Sequence, residues 1–246
     1  MKKILIIGDL HGKDVWKTFA DIKFLLTAEP EAAGYGPFEP EYDHYVFLGD
    51  YVDAFDKDNK TIMENLLDIM RFKTLYPYHV ILLWGNHDVA YYRNMPCTGM
   101  RPEMFDDLRE LFEKNENLFQ VAFQIENHIF LHGGLHKGWY HFVFTKAIKD
   151  MGLDEMGVAD QLNEAFRQDV PCIYDIDFYR GGRKKVGGPL WISKQLLNKK
   201  PLMNIHQYVG HTPVDHITTI KINKETTVTY CDTLRKNTND YLVVKI

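Results

Sequence analysis

Five times in this chain an apolar run leads into a glycine-flanked Asp, Asn or His, and that recurrence constrains the fold more than any other feature. The fullest case is Tyr45–Asp53, where the run Tyr45–Leu48 stops at Gly49 and two carboxylates, Asp50 and Asp53, follow three residues apart. A buried strand that ends in glycine and then presents acids holds oxygen ligands on a rigid edge. The other cases are Ile4–Ile7 before Gly8-Asp9-Leu10-His11-Gly12 and Val80–Trp84 before Gly85-Asn86-His87-Asp88. His128–Leu131 before His132-Gly133-Gly134, and Tyr208–Gly210 before His211-Thr212-Pro213, complete the set. Independent core histidines would not share this punctuation.

The intervening segments read as follows. Val15, Phe19, Ile22 and Leu26 predict one amphipathic helix, and Ile62, Leu66, Ile69 and Met70 a second that ends near Tyr76-Pro77. Strand, site, helix, strand, site is a βαβ rhythm, and ligands in such sheets sit at the carboxyl ends of the strands. Pro102–Lys114 and residues 139 to about 170 read mainly as helix, with Phe119–Ile125 and His128–Leu131 as strands around a tight turn at Glu126-Asn127. Glu29 to Asp43 is a proline- and glycine-rich loop, and Tyr179–Gly188, glycine-rich and basic, reads as a flexible one. Ile217–Ile222, Thr226–Cys231 and Tyr241–Ile246 alternate as three strands of a sheet. With no repeat or linker, the expectation is a single domain over 1–246 with a helical and loop insertion at roughly 139–188.

Composition excludes more than it assigns. At 246 residues, 45% hydrophobic and 26% charged, the chain is ordinary globular protein. Its net charge of -5 argues against a duplex nucleic acid partner, whereas anionic substrates remain open because bound divalent cations can dominate a site. Cys97, Cys172 and Cys231 form neither a zinc pattern nor a disulfide framework, which predicts a reducing compartment. The apolar run after Met1-Lys2-Lys3 breaks at Gly8-Asp9, too short for a signal peptide, and nothing approaches the ~20 apolar residues of a membrane span. A cytoplasmic protein without a membrane partner is expected.

Carboxylate, imidazole and amide-oxygen donors suit Mn, Fe, Zn or Ni. A carboxylate shared by two such cations makes a clamp for the attacking and leaving oxygens of an in-line displacement. Taken in order, the five blocks resemble the signature of the calcineurin-like metallophosphoesterases, and within that superfamily its phosphoprotein (Ser/Thr) phosphatase-like branch. The resemblance implies an α/β fold, a four-layer α/β/β/α sandwich of two mixed sheets with the metal site at the C-terminal strand ends. It implies that Asp9, His11 and Asp50 hold one divalent metal, that Asp50, Asn86, His132 and His211 hold the second, and that a metal-bound hydroxide attacks phosphorus. His87 would be the general acid, held in the right tautomer by Asp53. The implied enzyme is a phosphomonoesterase acting on a phosphorylated small molecule, phosphoprotein or nucleotide, with Mn the expected metal. Hydrolysis of dinucleoside polyphosphates or of phosphodiesters would use the same core. The superfamily also contains non-catalytic scaffolds, which usually lack the catalytic histidine or some ligands.

Four positions depart from the family pattern. Ala54-Phe55 stands where many members have Arg-Gly, Trp84 where an arginine is frequent, Asp88 where eukaryotic protein phosphatases usually have Glu, and Pro213 where diesterase-type members place a second histidine. The last favours the branch with one histidine there. Arg180 and Arg183, in the glycine-rich loop, are the candidates to replace the missing arginine as phosphate-binding residues, and Tyr51, Tyr91 and Tyr92 are candidates to line the cleft.

Overall fold

The structure, a computed structural model, describes residues 1–19, 22, 26, 40–233 and 240–246. Its strands are β1 (Lys3–Ile7), β2 (His44–Phe47), β3 (Val80–Leu83), β4 (Phe119–Gln120), β5 (Ala122–Ile125), β6 (His128–Leu131), β7 (His206–Val209), β8 (Thr218–Asn223), β9 (Thr226–Tyr230) and β10 (Leu242–Lys245). They form two five-stranded sheets, ordered β10-β1-β2-β3-β4 and β5-β6-β7-β9-β8. In the first, β1 to β4 run parallel and β10 adds antiparallel to β1. In the second, β6, β7 and β9 are parallel, with β5 and β8 antiparallel at the edges.

Strand alternation builds the layers. Ile4, Ile6, Val46, Leu48, Ile81 and Leu83 of the first sheet pack against Phe130, Tyr208 and Cys231 of the second. The opposite faces, with Leu5, Ile7, Tyr45, Phe47 and Leu82 in one sheet and Ile129, Leu131, Val209 and Val228 in the other, join the helical layers. Strands covered on both faces have no polar side to show, which is why they read as continuous apolar runs. The result is the α/β/β/α sandwich.

The described helices of six or more residues are α1 (Asn59–Leu75), α2 (Asn86–Tyr92), α3 (Phe105–Lys114), α4 (Val158–Arg167) and α5 (Lys194–Lys199). Asp58 caps α1 by accepting from the Thr61 N–H at 2.7 Å, and Ile62, Leu66, Ile69 and Phe72 bury its apolar face. Among the described residues no helix is long and apolar enough to cross a membrane.

Where sequence and structure part, the chain changes sheet or a local bond overrides the pattern. Phe119–Ile125 is two strands in different sheets, broken at Val121. At the break the Asn163 side chain accepts from the N–H groups of Val121 (2.8 Å) and Ala122 (3.0 Å), bonds the ladder no longer supplies. The last three strands also divide: β8 and β9 form a hairpin in the second sheet, and β10 returns to the first. Periodicity reports a strand's faces and says nothing of its partner. Of the helix expected from Val15 onward, Val15–Thr18 forms a 3₁₀ turn. Phe19, Ile22 and Leu26 are buried, and the rest of that segment, with most of the Glu29 to Asp43 loop, lies outside the described residues.

Residues 139–170 are interrupted helix: Lys137–Trp139, Tyr140–Phe144 and Thr145–Ala147 run on with a wide turn in the middle, and α4 restarts after Gly157. Trp139, Tyr140, Phe144, Leu162 and Phe166 enter the same core as the sheets. The loop at Tyr179–Gly188 is not the flexible element its composition suggests. Asp177 accepts from the N–H groups of Tyr179 (2.8 Å) and Ser193 (2.7 Å), and Lys184 pairs with Asp175 at 3.1 Å. Gly182, Gly187 and Gly188 serve close packing, whereas Gly181 turns at φ 81° with open space around it.

Candidate metal centre

Each of the five blocks lies just beyond the C-terminal end of a parallel strand: β1, β2 and β3 in one sheet, β6 and β7 in the other. Asp9, His11, Asp50, Asn86, His132 and His211 converge there, all buried. Ligand atoms of Asp9, His11 and Asp50 lie within 4.8 Å of one another, as do those of Asp50, His132 and His211. Asp50 belongs to both groups, and the Asn86 amide oxygen sits 2.8 Å from His132 Nε2, which places Asn86 with the second.

The backbone needed to gather these groups is unusual. His11, Asp50, Asp53 and His211 have φ of 44, 53, 63 and 62°, in the left-handed region that β-carbons disfavour. Two glycines make the approach possible. Gly49 turns at φ 98°, and a β-carbon on Gly85 would lie 2.1 Å from the Asp50 nitrogen. The β2 and β3 loops can touch only because both positions lack side chains.

Hydrogen bonds fix the imidazoles. His132 Nδ1 faces the Leu48 carbonyl at 2.8 Å and His11 Nδ1 the Val52 carbonyl at 3.0 Å. Both contacts require Nδ1 to carry the proton, which leaves each Nε2 lone pair directed into the cluster. His211 Nε2 is buried without a hydrogen-bond partner among the described residues, a cost that a cation would relieve. Burial holds His132 and His211 below the ordinary imidazole range. Burial alone would raise Asp50, but the surrounding imidazoles outweigh it and hold that carboxyl well below its usual range. Neutral imidazoles around an ionised carboxylate are the forms that ligate metal, so the donor set fits a pair of divalent cations.

Asp53 and His87 meet beside the cluster, with His87 Nδ1 2.8 Å from Asp53 Oδ2. Burial works against a charged imidazole, but the Asp50 charge and the Asp53 bond prevail and raise His87 to about 11. Cations held by Asp50 would offset its charge and leave Asp53 as the acidic partner of His87. Tyr91 donates to the other Asp53 oxygen and accepts from the Arg101 N–H at 2.8 Å. Tyr91 thus braces Asp53 instead of lining the cleft. Tyr51 is also buried, donating to the Leu83 carbonyl at 3.0 Å, and Tyr92 stacks on Trp84 at the far end of α2, 4.9 Å between centroids.

A cleft of about 420 Å³ opens over Asp50, Asn86, His87 and His211. Arg180 lines it and Arg183 does not. The Arg180 guanidinium donates to Thr212 Oγ1 at 2.6 Å, and its Nε has no partner among the described residues. Arg183 is exposed on the loop surface.

Sequence reading missed the role of Asp88 and the presence of Cys97. Asp88 is fully buried and accepts from the N–H groups of Gly85 (2.9 Å), Asp50 (2.8 Å) and Tyr51 (2.9 Å), pinning the Asp50 turn. Burial and the Asp50 charge push this carboxyl up, while its backbone donors pull the other way. Its position three residues after Gly85, the first turn of α2, was the available signal. The Cys97 sulfur lies 3.6 Å from His87 Nδ1, brought in by a loop with no motif of its own.

Solved structures share this architecture. The cold-active protein-tyrosine phosphatase of a psychrophilic Shewanella species matches all of this chain and 76% of its own at 18% identity and a TM-score of 0.63. Another structure of a cold-active protein tyrosine phosphatase gives 18% identity, a TM-score of 0.64, and coverage of 100% and 74%. A protein serine/threonine phosphatase from Saccharomyces cerevisiae is 19% identical, with a TM-score of 0.48 and coverage of 93% and 67%. At such identities the likeness concerns the fold. The family model described as calcineurin-like phosphoesterase matches residues 2–218, and with the metal-ligand cluster inside that span the chain belongs to this family of metal-dependent phosphoester hydrolases.

Proposed function

We propose that this enzyme hydrolyses phosphomonoesters, phosphoprotein side chains foremost, with two divalent cations for which manganese is the first choice. The observation that carries the reading is the His87–Asp53 pair, 2.8 Å apart and beside the ligand cluster at the cleft floor. A scaffold would keep the fold without needing a proton donor there.

Asp9, His11 and Asp50 would hold one cation, and Asp50, Asn86, His132 and His211 the other. Bound cations supply Lewis-acid stabilisation of the phosphoryl oxygens and acidify the attacking water. Arg180 contributes a guanidinium to the phosphoryl group from the His211 side, where its Nη2 already bonds Thr212. His87 keeps Nδ1 on Asp53, so its other nitrogen, Nε2, delivers a proton to the departing oxygen. Asp53 orients that ring and favours its protonated form. The three free cysteines, Cys97, Cys172 and Cys231, support a reducing compartment such as the cytoplasm.

The test is a panel comparing a phosphopeptide, a dinucleoside polyphosphate and a bis-aryl diester, with Mn, Fe, Zn or Ni supplied in turn. The reading expects the monoester to be turned over fastest with Mn, and Asp50→Asn and Asn86→Ala to abolish turnover. Full Mn-dependent activity in either variant would overturn the assignment of ligands. Preference for the polyphosphate would move the enzyme to phosphoanhydride hydrolysis.

A further inference from the structure

The family's arginine after Asp53 is absent, and the structure shows what the position has become. Ala54 is buried, and its β-carbon lies 3.2 Å from where one on Gly12 would stand, so residue 54 packs inward and sends nothing into the cleft. Arg101 approaches the same turn, yet its guanidinium is taken up by the Ala54 and Lys57 carbonyls and by Asn59. It braces the turn and offers no charge to a phosphate.

That braced turn presents Phe55. The ring is 77% exposed and lines the same cleft as Asp50, Asn86 and His87. A large apolar ring left in water at a catalytic mouth forgoes its own burial, and a ligand that covers it recovers that term. Its location is specific: the ring tip lies 3.3 Å from where a β-carbon on Gly99 would stand, and that same point is 3.9 Å from the Asp53 β-carbon. Phe55 therefore sits on the His87–Asp53 side, where the leaving oxygen departs. Pro96, Cys97 and Thr98 line the cleft with it. Arg180 comes from the His211 side. Arg180 thus supplies a guanidinium at one end of the cleft, where Trp191 also lines it 5.9 Å from His211, and Phe55 stands at the other end beside His87, where the leaving group would lie.

We infer that Phe55 is a platform for an aromatic leaving group, and that the preferred substrates are phosphomonoesters of phenols, in a protein the phosphate on a tyrosine side chain. The inference rests on the monoesterase reading above. In the reaction the bond between phosphorus and the phenolic oxygen breaks, water oxygen bonds to phosphorus, and the His87 proton goes to the departing oxygen. The products are the free phenol and inorganic phosphate. Throughout, Phe55 holds the departing ring by edge or offset contact.

The experiment uses two peptides of one sequence, carrying phosphotyrosine or phosphoserine, with Mn-loaded wild type, Phe55→Ala and the ring-retaining Phe55→Tyr. We expect wild type to prefer the phosphotyrosine peptide. Phe55→Ala should lose about three- to tenfold more kcat/KM on that peptide than on the phosphoserine peptide, the size of an aromatic pair, chiefly through KM. Phe55→Tyr should keep the preference. Inhibition constants for phenylphosphonate against methylphosphonate should shift by the same factor, a readout independent of leaving-group chemistry. Equal losses on both peptides, with the inhibitor ratio unmoved, overturn the platform and leave the monoesterase reading standing. Wild type that cleaves neither peptide but does cleave a dinucleoside polyphosphate overturns the monoesterase reading, and the platform with it.

Discussion

Asp88 is the residue whose replacement tests most directly how this site is held. Its two oxygens accept three backbone N–H groups, Oδ2 from Gly85 and Asp50 and Oδ1 from Tyr51, at 2.8–2.9 Å. Asp88→Asn preserves the shape but supplies a single accepting oxygen. In the better orientation that oxygen serves Gly85 and Asp50, and the amide NH2 is turned onto the Tyr51 N–H, donor against donor. One buried donor left unsatisfied costs about 1–3 kcal/mol. Taking about 2 kcal/mol, and about 2–4 °C of Tm per kcal/mol for a chain of this size, the melting temperature should fall by about 4–8 °C. Calorimetry in EDTA isolates this effect, because bound metal would otherwise add its own stabilisation. The second consequence concerns Asp50, whose turn at φ 53° is no longer pinned as firmly. Mn affinity, measured by titration of the apo protein, should weaken about 10- to 100-fold, as for other residues that support a ligand without touching the metal. If Asp88→Asn melts within about 1 °C of wild type and binds Mn equally well, the three bonds do not carry the load assigned to them.

The remaining predictions concern the residues around that turn. A general acid must be protonated, so activity should fall as pH rises through the pKa of His87; Asp53→Asn removes a group that raises it, and the alkaline limb of kcat should move to lower pH by about one unit or more. A limb that stays in place rejects the pairing. Arg180→Ala should raise KM for a monoester about tenfold or more, as expected for losing a charged hydrogen bond, whereas Arg183→Ala should stay within about twofold. Equal effects would mean that the cleft does not distinguish them. Gly85→Ala sets a β-carbon 2.1 Å from the Asp50 nitrogen, so the purified variant should have lost bound metal and melt lower; an unchanged metal content would show that the β2 and β3 loops can separate without cost.

How much of this was legible in sequence depended on whether the information was local. Strand ends were, because β1, β2 and β3 are covered on both faces and each stops at a glycine demanded by a neighbouring loop. The metal-capable residues at those ends were legible with them, while their division between two metals came only from the family resemblance. The pairing of the last strands was not legible, since Leu242–Lys245 and Thr226–Tyr230 carry similar alternation yet lie in different sheets. The break at Val121 was equally hidden, because the group that satisfies it is Asn163, over forty positions away. Composition misled at Tyr179–Gly188, where a β-carbon on Gly182 would meet the Ile176 carbonyl at 2.0 Å. Glycine signals freedom only where nothing is close. The choice between Arg180 and Arg183 needed the loop's path, which Asp177 sets through bonds to Tyr179 and Ser193.

The same distinction explains why the site and the fold stand or fall together. The two sheets meet through apolar side chains along their length, but at the site they are also joined by polar bonds: His211 N–H to Asp9 at 2.8 Å and His132 Nδ1 to the Leu48 carbonyl at 2.8 Å. Each bond joins a loop of one sheet to a loop of the other. The left-handed residues His11, Asp50, Asp53 and His211 lie within these loops, and such conformations persist only where their surroundings over-determine them. Hydrogen bonds from His11 N to the Asp50 carbonyl at 2.8 Å and from Gly12 N to the Tyr51 carbonyl at 2.8 Å supply part of that constraint. Strain at the ligands is thus balanced by bonds between loops, and bonds between loops exist because the sheets are packed. A cation held by both loop sets would close the circuit, since Asp50 comes from the first sheet and His132 and His211 from the second. Loss of any one ligand should therefore lower metal affinity by more than one missing donor, because it also releases the loop that positioned its neighbours.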